Sequence, residues 1–217
     1  CSRKMRCVMT GITITYYGHS CFTIEAEGYS IALDPYDGHV PGYAPLKIEA
    51  NEVLCSHEHS DHNFREAVLL KTGGENPFKI TEIHSYHDPE KGALRGVNTI
   101  RIFEHGGLRI AHLGDIGCRP EDEQTEQLKG LDAVLAPVGG TYTFDAKEQK
   151  SFLDEIKPRV IIPMHYRFGS FGFSNIGTLA DFTNLYEAGS VNMNGVSSIT
   201  LTKASPAGVT VLEFGFL

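Results

Sequence analysis

No uninterrupted apolar run in the 217 residues approaches the roughly 18 that a membrane span requires, so no transmembrane helix is predicted. Basic residues are in the minority: 19 Lys and Arg stand against 27 Asp and Glu, a formal net charge of −8. Phosphate contacts need a basic stripe, so a nucleic-acid partner is disfavoured. A small anionic substrate, held by one or two local cations, remains compatible. The cysteines (Cys1, Cys7, Cys21, Cys55 and Cys118) form no CxxC pair and no regular framework. An odd, scattered set suits a reducing interior better than an oxidised secreted protein, which makes cytoplasmic residence the expectation. Neither the HExxH helix of zincins nor a GxSxG nucleophile elbow occurs, which argues against both of those chemistries. Linkers, low-complexity tracts and short-period repeats are also missing.

What is present describes an ordinary globular chain, 41% hydrophobic and 21% charged, of a size that folds undivided. The expectation is one domain over residues 10–217, preceded by a leader over residues 1–9 that is disordered or left over from cloning. Cys1 would also suit a lipid-anchored or exported chain, with no signal before it to test that alternative.

One stretch organises the rest: Cys55-Ser56-His57-Glu58-His59-Ser60-Asp61-His62-Asn63. It places three histidines and an aspartate within six positions, directly after the apolar run Val53-Leu54-Cys55, which reads as the end of a buried strand. In an extended chain His57 and His59 project to the same side. The apolar positions Phe64, Ala67, Val68 and Leu70 predict a helix over 62–70, with Asp61 and His62 at the turn that opens it. Such a turn offers ligands to two adjacent metal ions, and no cysteine stands nearby at zinc-finger spacing.

Elsewhere, alternation predicts strands at Ile12–Tyr16, Cys21–Glu25 and Tyr29–Leu33, stopped by Asp34-Pro35. Further strands are expected at Ile80–Tyr86, Thr99–Glu104, Leu108–Leu113, Asp132–Pro137, Val160–Pro163, Ser198–Thr202 and Val209–Phe214. Helices are expected over Glu121–Leu128, from an Asp145 N-cap to Ile156, and over Thr178–Glu187. Groups of strands separated by helices favour two sheets packed face to face.

The run His57-x-His59-x-Asp61-His62 is followed by Tyr86-His87-Asp88, His112-Leu113-Gly114-Asp115 and Pro163-Met164-His165-Tyr166. It is preceded by Tyr17-Gly18-His19-Ser20 and Leu33-Asp34-Pro35-Tyr36. In this order, over nearly the whole chain, the motifs resemble the metallo-β-lactamase-fold hydrolases. Within that group they resemble a compact branch that includes L-ascorbate 6-phosphate lactonase and loosely characterised metal-dependent hydrolases. The resemblance implies an α/β fold, the four-layer αββα sandwich of two mixed sheets flanked by helices. It implies that His57, His59 and His87 hold one ion, that Asp61, His62 and His165 hold a second, and that Asp115 bridges them. His84 and His112 compete with His87 for its place. A set of nitrogen and oxygen donors suits zinc and tolerates manganese or iron.

Around this set, Asp34 suits a carboxylate that fixes a ligand ring, or else makes an Asp-Pro turn. His19 lines the floor of the site or is a satisfied buried histidine. His112 orients a ligand or supplies a proton. Arg95, Lys91 and Arg167 are the anion-binding candidates, each also a normal surface cation. Tyr142 and Tyr166 are the hydrogen-bond donors expected near the metal edge. The aromatic loop Phe168-Phe171-Phe173 either lips a cleft or joins two copies into a homo-oligomer. The implied reaction is hydrolysis of an ester, lactone or phosphoester bond in a small metabolite, by a water shared between two cations. Asp61 and Asp115 are its catalytic carboxylates. A phosphodiesterase or nuclease is the first alternative. A diiron oxidoreductase of the same fold is the second, although such relatives place glutamate where His59 stands. A non-catalytic metal-binding protein is the third.

Overall fold

A computed structural model describes residues 11–214 of the chain, so the expected leader over residues 1–9 lies outside the described residues. Strands β1 (Ile12–Gly18), β2 (Cys21–Ala26) and β3 (Tyr29–Leu33) form an antiparallel meander. In β1 the side chains alternate between buried and half-buried. Ile12, Ile14 and Tyr16 face the core, while Thr13 and Thr15 meet the hydroxyls of Thr200 and Ser198 across the strand. Three short strands follow, β4 (Ile48–Ala50), β5 (Glu52–Leu54) and β6 (Val68–Leu70). A second antiparallel meander comprises β7 (Lys79–Tyr86), β8 (Val97–His105) and β9 (Leu108–His112).

The chain then alternates between helix and parallel strand: α1 (Asp122–Gln127), β10 (Ala133–Pro137), α2 (Ala146–Ile156), β11 (Val160–Met164) and α3 (Leu179–Thr183). It closes with β12 (Val191–Met193), β13 (Ser198–Leu201) and β14 (Gly208–Val211). β10 and β11 are buried throughout, as parallel strands covered on both faces must be. α2 starts at a reciprocal capping box between Asp145 and Glu148 and stops at Lys157, whose backbone is left-handed. Its buried Phe152, Leu153 and Ile156 join the main core.

Two mixed sheets result, a five-stranded one in the order β13-β1-β2-β3-β5 and a seven-stranded one in the order β12-β14-β11-β10-β9-β8-β7. Their inner faces share one apolar core, in which Ile14 and Ile24 of the first sheet meet Ile100, Ile110 and Val134 of the second. This is the expected sandwich of the metallo-β-lactamase fold. Among the described residues, no helix is long and apolar enough to cross a membrane.

The expected helix over 62–70 does not form. The N–H groups of His62 and Asn63 both donate to the His59 carbonyl, at 2.9 and 3.0 Å, and that of Phe64 donates to Pro35 at 2.8 Å. A single 3-10 turn at Arg65–Ala67 leads straight into β6, which pairs with β4. So short an apolar pattern fits either period, and the partners offered by Pro35 and β4 decide the outcome. α3 is also shorter than the span expected over 178–187, and β4, β6 and β12 are strands without an alternating signal.

Candidate metal centre

Every expected ligand leaves the end of a strand at the same rim of the sandwich. His57 and His59 follow β5, His87 follows β7, Asp115 follows β9 and His165 follows β11, while His19 turns from β1 into β2. The rim is stitched across the two sheets: the N–H of His165 donates to the His19 carbonyl at 2.8 Å, and that of Thr99 donates to Ser56 at 2.9 Å. His19, Asp34 and His165 all adopt left-handed backbone, with φ of 52°, 45° and 52°. A non-glycine residue held there costs about 1–3 kcal/mol and persists only where its surroundings over-determine it. Gly114 has φ 56° beside Asp115, and a Cβ there would lie 2.2 Å from Asn98 Oδ1.

Two donor clusters emerge. His57, His59 and His87 offer ring nitrogens that lie within 4.8 Å of one another, and so do His19, Asp61, His62 and His165 with one donor atom each. Asp115 stands between the two clusters. Its Oδ2 lies 3.3 Å from His62 Nε2, 3.3 Å from His87 Nε2 and 3.2 Å from His165 Nε2. Asp61 Oδ2 lies 3.1 Å from His19 Nε2 and 3.5 Å from His62 Nε2. His19, a floor candidate in the sequence, is thus drawn into the second cluster itself.

A layer of hydrogen bonds sets the tautomers. His62 Nδ1 donates to Asp34 Oδ2 at 2.8 Å, and His87 Nδ1 donates to the Tyr142 carbonyl at 2.9 Å. The Ser56 hydroxyl donates to Asp34 and accepts from His57 Nδ1 at 2.9 Å. Each of these rings is therefore held by Nδ1 and turns its Nε2 to the rim. Several buried polar atoms there have no hydrogen-bond partner: His57 Nε2, His62 Nε2, Asp115 Oδ1, His165 Nδ1 and His19 Nδ1. Buried polar atoms are nearly always paired, so a cluster of orphaned lone pairs on imidazole and carboxylate fits a divalent cation.

The electrostatics agree. Burial, then His62, pushes His57 down to about 3. Burial, then His165, pushes His19 down to about 4. Both rings are neutral, as ligands must be. Burial alone would raise Asp115, but His165 and His62 outweigh it and hold the carboxyl well below its usual range. Asp34, raised by burial, is drawn down to about 2 by His112 and His62. Burial lowers His62, but Asp115 and then Asp34 overcome it and raise the ring. The position between these carboxylates is built for positive charge.

The rim opens into a cavity of about 310 Å³ lined by His59, Asp61, His87, Arg95, Asp115, Tyr142, His165 and Phe173. Four of the expected substrate contacts are absent from this lining. His112 lies beneath the site, with Nε2 on the Ser20 carbonyl at 3.1 Å and Nδ1 accepting from Gly114 N–H. A proton-delivery role for it therefore has no geometric support. Tyr166 is buried in the core beside Tyr16, and Arg167 lies toward Asp181. Lys91 is exposed, 3.8 Å from Glu121, and Cys118 stays outside the lining.

Three supporting residues escaped the sequence reading. Ser56 sits inside the organising stretch, but its hydroxyl contact depends on Asp34 from another strand. Asn98 is fully buried, accepts the Asp115 N–H at 2.9 Å, and donates to Leu113 at 2.9 Å and Ser85 at 2.7 Å. Asp88 is also fully buried and anchors the loop after His87. Neither Asn98 nor Asp88 carries a local signal of such a role.

Fold and side-chain constellation together define a metal-dependent hydrolase of the metallo-β-lactamase superfamily. The chain belongs to that superfamily: residues 13–165 match the family model described as the beta-lactamase superfamily domain. A UPF0173 protein of Pyrococcus abyssi is 30% identical over 190 residues, 73% of this chain and 84% of that protein. A UPF0173 metal-dependent hydrolase of Ignicoccus hospitalis is 26% identical over 73% of this chain and 84% of its own length. The crystal structure of a metallo-β-lactamase superfamily protein from Thermotoga maritima superposes with a TM-score of 0.71 at 33% identity, covering 93% of this chain and 98% of that one.

Proposed function

We propose that the protein hydrolyses an ester, lactone or phosphoester bond of a small metabolite with two divalent cations, zinc being the best fit to the donors. His57, His59 and His87 would hold one, Asp61, His62 and His165 the other, with Asp115 shared. The observation that carries this reading is the position of Asp115 Oδ2, within 3.3 Å of ring nitrogens from both clusters. Bound cations supply a water of lowered pKa and polarise the oxygen of the bond under attack. The chain's own residues orient the reactants. Asp61, fixed by His19 Nε2, and Asp115, fixed through Asn98, are the carboxylates that accept hydrogen bonds from the attacking water. His59, exposed at the mouth, is positioned to meet substrate as it enters. A cavity of about 310 Å³ is at the small end of ligand sites and suits a metabolite rather than a polymer. Cytoplasmic residence belongs to the same reading, and the free thiols of Cys21, Cys55 and Cys118 agree with it.

The test is a panel of lactones, phosphodiesters and thioesters, run on protein of measured metal content with a His59→Ala control. Turnover of one class, lost in a folded His59→Ala variant, is the expected result. Turnover unaffected by that substitution, or redox-active iron as the only bound metal, would refute the proposal.

A further inference from the structure

Arg95 is the cation that lines the metal cavity, and its surroundings are unlike those of Arg101, Arg109 and Arg159. Arg101 pairs with Glu82 at 2.8 Å, Arg159 with Asp132 at 3.1 Å, and Arg109 donates to the carbonyls of Lys129 and Gln127. Among the described residues, no carboxylate lies within ion-pair distance of Arg95, and no carbonyl accepts from its guanidinium. What the guanidinium has is a face: its Cζ lies 5.5 Å from the centroid of the Tyr142 ring, a cation–π arrangement that leaves the N–H edge free.

Both partners in this stack are held in place. Asp88, fully buried, accepts four backbone N–H groups, from Glu90 at 2.9 Å, Gly92 at 3.1 Å, Leu94 at 3.1 Å and Arg95 itself at 2.7 Å. The loop is closed by His87 N–H on Gly96 at 3.1 Å and Gly96 N–H on Gly92 at 3.0 Å. Tyr142 is held at both ends, its hydroxyl accepting from Asn175 at 2.6 Å and its carbonyl accepting from the metal-cluster residue His87 at 2.9 Å. A guanidinium fixed by its own loop, stacked on a fixed ring and left without an acceptor beside a hydrolytic centre has the form of a preorganised oxyanion fork.

We infer that Arg95 binds an oxyanion of the substrate, a carboxylate or phosphate carried away from the bond that is cut, and so selects anionic metabolites over neutral ones. The inference rests on the hydrolytic reading above for the location of the cut bond, and its binding test does not require turnover. The Arg95 side chain makes no hydrogen bond within the described residues, and the backbone N–H that Asp88 holds is kept by any residue but proline, so Arg95→Met should fold and keep its metal.

The experiment has two arms. Calorimetric titration of the zinc-loaded protein with succinate and with inorganic phosphate should show binding to wild type that weakens roughly 10- to 100-fold in Arg95→Met, the effect of losing a charge-assisted bidentate contact. Arg95→Lys should recover part of it, because a point charge lacks the fork. The anion that suffers the larger loss identifies the substrate group. In the kinetic arm, the neutral ester 4-nitrophenyl acetate is compared with mono-4-nitrophenyl succinate. Wild type should favour the anionic ester, and Arg95→Met should lose the preference through KM. Absence of anion binding in wild type, or a change below about fivefold in Arg95→Met for both anions, overturns the inference. No turnover of either ester, with Arg95-dependent anion binding intact, would count against the hydrolytic reading and leave the anion site standing.

Discussion

Two buried aspartates at opposite edges of the seven-stranded sheet differ in how they are satisfied. Asp132 precedes β10, at the edge where the parallel strands begin. Its Oδ1 accepts from Arg159 at 3.1 Å and Lys203 at 2.9 Å, and its Oδ2 from Arg109 N–H at 2.9 Å and Lys203 at 2.8 Å. Every lone pair has a donor from the chain. Asp115 follows β9, at the edge where those strands end. One of its oxygens has no hydrogen-bond partner, and the other faces the Nε2 atoms of three imidazoles from both clusters. Around Asp115 the backbone is strained at three non-glycine positions, each worth about 1–3 kcal/mol. Arg109, Asp132 and Arg159 show no such strain. A carboxylate complete within its own chain holds the fold together. One that the chain leaves incomplete is the one that the proposed cations would complete.

The largest effect that would break this contrast is at Asp115. Asp115→Ala should reduce hydrolysis by on the order of a thousandfold, as removal of a group that acts directly on the reaction does. It should also abolish the thermal stabilisation by zinc. In wild type, zinc at a hundred times its Kd should contribute about 2.7 kcal/mol, roughly 5 to 10 °C for a chain of this size. A full zinc-induced rise in the variant would show that Asp115 is as structural as Asp132. A smaller effect is expected one layer out. Asp34→Ala removes the acceptor of His62 and of Ser56, and should lower zinc affinity about 10- to 100-fold, measured by competition with a chromogenic chelator. An unchanged affinity would make Asp34 a turn residue only.

The smallest effect lies at the other edge. Asp132→Ala should cost about 1–3 kcal/mol of stability, read from denaturant unfolding, while kcat/KM and the zinc-induced rise stay at wild-type values. The stability difference should depend on pH. Burial alone would raise the Asp132 carboxyl, but Lys203, the Arg109 N–H and Arg159 outweigh it and hold it below its usual value. Its contribution is therefore complete above the unfolded carboxylate pKa of about 4 and is lost as pH falls through the depressed folded value. Wild type and variant should converge in acid. A gap that persists unchanged at pH 2 would mean that packing, and not charge, links Asp132 to its neighbours.

The sequence revealed much of this arrangement, and for identifiable reasons. The strands of the first meander alternate, so Ile12, Ile14 and Tyr16 show their inward face by spacing alone. Asp145 and Glu148 announce the start of α2 because a capping box is a local device. The cluster His57-x-His59-x-Asp61-His62 is legible because its donors lie within one turn of chain. His87, Asp115 and His165 were legible only through their resemblance to a known family, since nothing local ties them to that turn. The helix expected over 62–70 failed because Pro35 and β4, distant in sequence, took the backbone groups it needed. Tyr166 and Arg167 misled because adjacency to His165 says nothing about direction.

By itself, then, the sequence determined the periodicities that make two sheets and three capped helices, the chemistry of the donors, and the charge balance that disfavours nucleic acid. Those are properties of neighbours along the chain. Only the tertiary structure decided that Asp115 stands between the two histidine clusters, that Ser56 and Asn98 hold them from below, that His19 joins them, and that Arg95 stacks on Tyr142 without an acceptor. Each of these depends on the packing of one sheet against the other, which sets distances between residues tens of positions apart that no local pattern encodes.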